Sequence, residues 1–282
     1  MLCAEEKQML ARKAVQLRRN VITMVGVDKP GHLGGAFSLA EIVAYLYFHR
    51  MTYSADRPQR SDRDRFLLSK GHGVLIQYAA LAEMGMIPQD ELARTKSLGS
   101  MLQGHPDMAK TPGIEAVTGS LGQGLSLGLG MALGLRIDGS DSVVYVVLGD
   151  GELSEGQLWE AAMAAAAFKV SNLVAILDCN KIQATGPTAE IFEIPRLSDK
   201  WEAFGWHVVQ TDGHDLTAID AAFTEANEKR HHKPVIVIAH TVKGKGVSFA
   251  EHNPAFHNGI LTEELYKQAL EELQAHELEA VR

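Results

Sequence analysis

The chain has 282 residues, 46% hydrophobic and 22% charged, an ordinary globular balance with enough length for a sizeable core in one large or two small domains. Its net charge of −8 and pI near 5.8 give nucleic-acid binding no electrostatic support, so any polyanion site has to be local. Two cysteines, Cys3 and Cys179, give neither a disulfide framework nor a zinc cluster and fit a reducing cytoplasm, and no signal-peptide start or run of ~18–20 apolar residues points to export or a membrane.

Residues 5–25 read as a helix, with Leu10, Ala14, Leu17, Val21 and Met24 at helical spacing. Pro30-Gly31-His32-Leu33-Gly34-Gly35 breaks it. Ser38 reads as the cap of a second helix through Tyr47, with Glu41 completing a capping box. Residues 73–84 and 88–97 read as further helices, parted by Gly85 and Pro88. Three short aliphatic runs, Val143 to Leu148, Leu173 to Leu177 and Val235 to Ala239, read as buried parallel strands. An Ala-rich helix, Gln157 to Phe168, joins the first two in a strand–helix–strand unit. Residues 205–210 are a weaker strand and 217–230 a helix. The Glu-rich tail, 262–281, reads as a solvated or partner-facing helix. The alternation implies an α/β fold of three layers, a central mostly parallel sheet flanked by helices, in one domain over 1–282.

Open α/β sheets bind ligands beyond the carboxyl ends of their strands. Gly149-Asp150-Gly151-Glu152 follows the first strand and Asp178-Cys179-Asn180-Lys181-Ile182 the second. Adjacent parallel strands bring Asp150 and Asn180 together. An Asp carboxylate, an Asn carbonyl and a backbone carbonyl are hard oxygen ligands for Mg²⁺ or Ca²⁺, and a diphosphate is the natural remaining ligand of Mg²⁺. Gly149 and Gly151 permit close approach of backbone to it. Alone, Gly-Asp-Gly is also an ordinary turn after a strand; the second cluster, thirty positions on, favours the metal–diphosphate reading.

With these clusters the sequence resembles the thiamine-diphosphate enzymes, whose motif opens on Gly-Asp-Gly and closes on Asn one strand–helix–strand unit later. It resembles the diphosphate-binding domain of transketolase more narrowly, over nearly the whole chain. Ser69-Lys70-Gly71-His72-Gly73, Gly104-His105-Pro106-Asp107, Thr118-Gly119-Ser120-Leu121-Gly122-Gln123-Gly124 and Glu155-Gly156-Gln157-Leu158-Trp159-Glu160-Ala161 carry that likeness. Two positions depart from the pattern: no proline follows His32, and Cys179 stands before the ligand Asn.

The resemblance implies that Asp150, Asn180 and the Ile182 carbonyl hold a divalent metal, Mg²⁺ or else Ca²⁺ or Mn²⁺. It implies that Gly151 and His72 contact the diphosphate and that Gly119 and Leu121 line the cofactor. His32, His105 and His257 match substrate-channel histidines, and with His72 and Glu155 they form the expected catalytic set; imidazoles suit proton transfer near neutral pH. Each also admits a structural reading; Glu155, which the resemblance makes a cofactor-binding acid near the domain interface in a proton relay between cofactor sites, equally reads as an acid at a helix start. Lys243, in Lys243-Gly244-Lys245-Gly246, either approaches the diphosphate or belongs to a basic loop. The implied reaction moves a two-carbon ketol unit from a ketose phosphate to an aldose phosphate. The implied partner is a C-terminal subunit carrying the pyrimidine-binding domain and its activating Glu, in an α2β2 cytoplasmic enzyme, with no nucleic-acid or membrane role. The competing readings are a non-catalytic scaffold and the α subunit of a 2-oxoacid dehydrogenase.

Overall fold

Branched aliphatic runs that are buried on both faces can only sit in the middle of a layered structure. The computed structural model, which describes residues 1–54, 56 and 60–280, places them so. In chain order the main elements are α1 (Ala4–Val25), α2 (Ala40–Tyr45), β1 (Arg65–Leu68), α3 (Leu75–Glu83), α4 (Gln123–Ile137) and β2 (Val144–Gly149). Then come α5 (Gly156–Ala167), β3 (Leu173–Cys179), α6 (Leu197–Ala203), β4 (His207–Asp212), α7 (Leu216–Lys229), β5 (Val235–His240) and α8 (Glu263–Ala280). The five strands form one parallel sheet in the order β1-β2-β3-β5-β4.

The pleat sends alternate side chains to opposite faces. Tyr145, Val147, Val174, Ile176, Val235 and Val237 join one core with α1, α2, α3 and α7. Val146, Leu148, Ala175, Leu177, Ile236 and Ile238 join a second core with α4, α5 and α6. The result is the three-layer α/β fold expected from the alternation of elements. No helix among the described residues is long and apolar enough to cross a membrane.

Several expectations need correction. Ser38 caps nothing: α2 starts at Ala40 without a side-chain cap, and the Ser38 hydroxyl donates to Asp178 at 2.6 Å. Glu41 pairs with Arg18 instead of closing a capping box. That helix ends at Tyr45, followed by a π-turn over Leu46–Arg50. The expected helix at 88–97 is a 3₁₀ segment, Gln89–Arg94. The tail helix is not wholly solvated, since it packs along α1 with Ala269 and Leu273 buried; residue 281 of its expected span lies outside the described residues.

Three of these elements escaped the sequence reading: β1, α4 and the short helix α6. β1 is four residues beside a charged run and lacks β-branched residues. Helix α4 contains Gly124, Gly128, Gly130 and Gly134, which argue against a helix on propensity alone. The packing explains two of them, Gly124 against Ser69 and Gly128 against Val146. A Cβ on Gly128 would fall 2.4 Å from Val146 Cγ2, so glycine lets α4 lie directly on β2. Gly128→Ala gains about 1 kcal/mol of helix propensity but overpacks the interface by roughly 1–3 kcal/mol. A net loss of about 1 kcal/mol is expected in urea unfolding; a raised midpoint would show that the helix moves aside freely.

Candidate active site

The carboxyl ends of β1, β2, β3 and β5 release four loops at one edge of the sheet. In the register, Gly149 lies beside Asp178 and Cys179 beside His240. Asp150 and Asn180 therefore leave adjacent strands side by side, and the loop to Lys243 follows from the next strand. These loops line a cavity of about 160 Å³. Its walls bring together His72, Leu121, Asp150, Gly151, Asn180, Ile182, Lys243 and His257.

The histidines come from four separate segments. A short antiparallel ladder pairs Pro30 with Ile260 and Gly31 with Gly259, which draws the loop of His32 against the turn of His257. Their ring centroids lie 5.5 Å apart. His72, in the turn after β1, is 5.4 Å from His32 and 4.8 Å from His257. His105 is 6.0 Å from His32. Gly119 and Glu155 stand apart from these walls: Gly119 backs onto His105, and Glu155 is exposed before α5, against Gly122. Gly122, at φ +82°, opens α4, and a Cβ there would fall 2.7 Å from Glu155 Cβ.

Burial disfavours the charged form of these imidazoles. Burial and then the charge of Lys96 take His32 down to about 4; burial and then Lys243 do the same for His257. His72 falls further, through burial and Lys70, and His105 is lowered by burial and Lys96. Nδ1 of His32 is buried without a hydrogen-bond partner, so the cluster has polar capacity to spare for a ligand. A folded-state pKa below the ordinary 6.5 means that the folded chain holds fewer protons than the unfolded chain between these values. This stability is present above pH 6.5 and lost as the pH falls through about 4. The melting temperature of His257→Asn is therefore expected to fall less than that of the parent across that window. Parallel slopes would contradict the assignment.

The oxygens at the cavity floor suit a cation. Asp150 accepts Gly151 N–H at 2.7 Å on one oxygen and Lys181 N–H on the other. Asn180 Oδ1 accepts Ile182 N–H at 3.1 Å. Each oxygen keeps a lone pair. Burial, and then the charge of Asp178, push the Asp150 carboxyl up to about 6, as for a carboxylate short of positive charge. On the Ile182 carbonyl a cation already sits: Lys243 Nζ donates to it at 2.8 Å and contacts His257 Nδ1 at 2.8 Å. Burial and the nearby Lys70 bring this lysine down to about 8. Among the described residues no three His, Cys, Asp or Glu side chains converge to hold a metal by themselves. One carboxylate with neutral carbonyls suits an ion that takes its other ligands from a phosphate.

Sequence reasoning assigned no role to four residues that build this edge. Lys70 is buried and donates to Gly35 O at 2.9 Å and to Asp178. Glu152 is buried and accepts the Ser69 hydroxyl, Gly122 N–H at 2.8 Å and Gly149 N–H at 3.0 Å. His214 accepts Val242 N–H at 2.8 Å and meets Glu41 at 2.8 Å, which fixes the start of the Lys243 loop. Asp178 is the fourth. Lys70, Glu152 and Asp178 all flank strand ends inside the quoted motifs, which was the available signal; His214 offered none.

The family profile described as "Transketolase, thiamine diphosphate binding domain" matches residues 10–278. The chain is 43% identical to the 6-deoxy-6-sulfo-D-fructose transketolase subunit of a Clostridium species, over 96% of this chain and 98% of that one. It is 41% identical to one of the subunits of the apulose-4-phosphate transketolase of Phocaeicola vulgatus, over 91% of this chain and 90% of that one. Human transketolase is 38% identical over 95% of this chain, which spans only 42% of the human protein. The crystal structure of Campylobacter jejuni transketolase superposes with a TM-score of 0.88 at 30% identity, over 97% of this chain and 45% of that one.

Proposed function

This chain belongs to the transketolase family, matching its thiamine diphosphate binding domain, and from that premise we propose that it is the diphosphate-anchoring subunit of a two-subunit transketolase, one domain over residues 1–282. The observation that carries the proposal is the convergence of four imidazoles at one sheet edge, two of them, His72 and His257, in the wall of the cavity that holds the hard oxygens. The near full-length match to relatives named as transketolase subunits supports the two-subunit form.

In this reading Asp150, Asn180 and the Ile182 carbonyl hold the metal, Mg²⁺ first, with Ca²⁺ and Mn²⁺ as substitutes of similar oxygen preference. Gly151 and His72 meet the diphosphate, with Lys243 reaching it once its ammonium leaves the Ile182 carbonyl. Leu121 and Gly119 lie along the cofactor. Thiamine diphosphate, when bound, supplies the carbon nucleophile and electron sink that let the C2–C3 bond of a ketose break. His32, His105 and His257, uncharged near neutral pH, hold sugar hydroxyls and accept or return their protons. Glu155 lies outside the cavity walls, so its part belongs to an interface. The activating Glu and the pyrimidine-binding domain come from the partner subunit, in an α2β2 enzyme of the cytoplasm.

The test is ketol transfer by the chain combined with its partner. A ketose phosphate labelled with ¹³C at C1 and C2 should pass both carbons to an aldose acceptor. Release of labelled CO₂ from a 2-oxoacid, without ketol transfer, would favour the 2-oxoacid dehydrogenase reading. A complex that takes up no cofactor when it is supplied, and turns over neither substrate, would favour a scaffold.

A further inference from the structure

Asp178 is fully buried at the end of β3, two residues before Asn180. Its Oδ2 accepts from Ser38 Oγ at 2.6 Å, from Asn180 Nδ2 at 3.0 Å and from Lys70 Nζ. Its Oδ1 accepts from Thr241 Oγ1. An asparagine amide presents oxygen to one side and NH₂ to the other. With Nδ2 committed to a carboxylate that can only accept, Oδ1 has to face the other way. There it accepts Ile182 N–H, at the wall of the cavity.

We infer that Asp178 is a positioning residue: its carboxylate sets the Asn180 amide with oxygen toward the cation site and holds Lys70 under the same cavity. This rests on the metal assignment proposed above. Such a carboxylate contributes through its neighbour, and loss of groups of this kind weakens metal binding by about 10- to 100-fold.

The experiment uses Lys70→Met as its background, because an unpaired buried ammonium would otherwise confuse the result. Mn²⁺ is titrated into the metal-depleted enzyme with thiamine diphosphate present, and free Mn²⁺ is read by electron paramagnetic resonance. Asp178→Leu should weaken Mn²⁺ by about 10- to 100-fold, while Asp178→Asn, whose oxygen can take the same Asn180 donor, stays within about threefold. In an Asn180→Ala background the difference between the two should vanish. A Leu variant that binds like its Lys70→Met parent, or an Asn variant no better than Leu, would overturn the inference. Failure of the unaltered enzyme to bind Mn²⁺ contradicts the metal assignment itself. Independently of folding in the variants, the Asn180 side-chain amide protons of the unaltered protein should exchange slowly with water before metal is added, and fast exchange there would overturn the positioning role.

Discussion

Asp150→Ala is expected to abolish metal-dependent binding of thiamine diphosphate while leaving the chain folded. Asp150 supplies the only carboxylate among the three oxygens assigned to the metal, so its loss should exceed the roughly 10- to 100-fold that loss of an outer-shell group costs. The fold should survive because of opposing local terms. Gly151 and Lys181 lose an acceptor for their N–H groups, at roughly 1–3 kcal/mol for each donor kept from water. Against this, a half-buried carboxylate that sits beside the charge of Asp178 is removed. Calorimetry with Mg²⁺ and cofactor reads the binding, and urea unfolding of the metal-free chain reads the fold. Unchanged Mg²⁺-dependent binding would defeat the ligand assignment.

Glu152→Gln should be the most damaging conservative change at this edge. The carboxylate joins three loops: its Oε1 takes the Ser69 hydroxyl and Gly122 N–H, and its Oε2 takes Gly149 N–H. Both oxygens therefore face a backbone donor that cannot turn round. Whichever way the glutamine amide is set, its NH₂ meets one of those N–H groups, and two buried donors lose their acceptors. At roughly 1–3 kcal/mol each, offset in part because no charge needs burying, the expected loss is about 2–3 kcal/mol. A lowered urea midpoint at constant m-value checks it. The same change should loosen the turns that carry Lys70, the α4 entry and Asp150 together, so cofactor binding should weaken as well. A midpoint within error of the parent would show that the three loops do not depend on this carboxylate.

The legible part of the fold was the part governed by local pattern. Aliphatic runs and the Ala-rich crossover gave β2, β3, β5 and α5 to within a residue or two. Elements set by tertiary packing were not legible. Helix α4 keeps Gly128 and Gly124 because Val146 and Ser69 press against them, whereas Gly130 and Gly134 face open space. Ser38 looked like a cap because a cap is a local device, yet its hydroxyl answers a carboxylate 140 positions away. The same division holds at the site. Motifs placed Asp150, Asn180 and the histidines, but the two-residue ladder that gathers His32 and His257 joins segments from opposite ends of the chain. No spacing rule exposes it. Lys70, Glu152 and Asp178 were in plain view beside the motifs; their importance appears only when their burial and their partners are known.

The central claim, that this chain anchors thiamine diphosphate for a partner that completes the enzyme, is tested most directly by native mass spectrometry. The tagged chain is recovered from its own cells with thiamine diphosphate and Mg²⁺ present. The expected result is a heteromer, two copies of this chain with two of a second polypeptide, carrying one cofactor for each pair. A homo-oligomer or monomer with neither partner nor cofactor would contradict it.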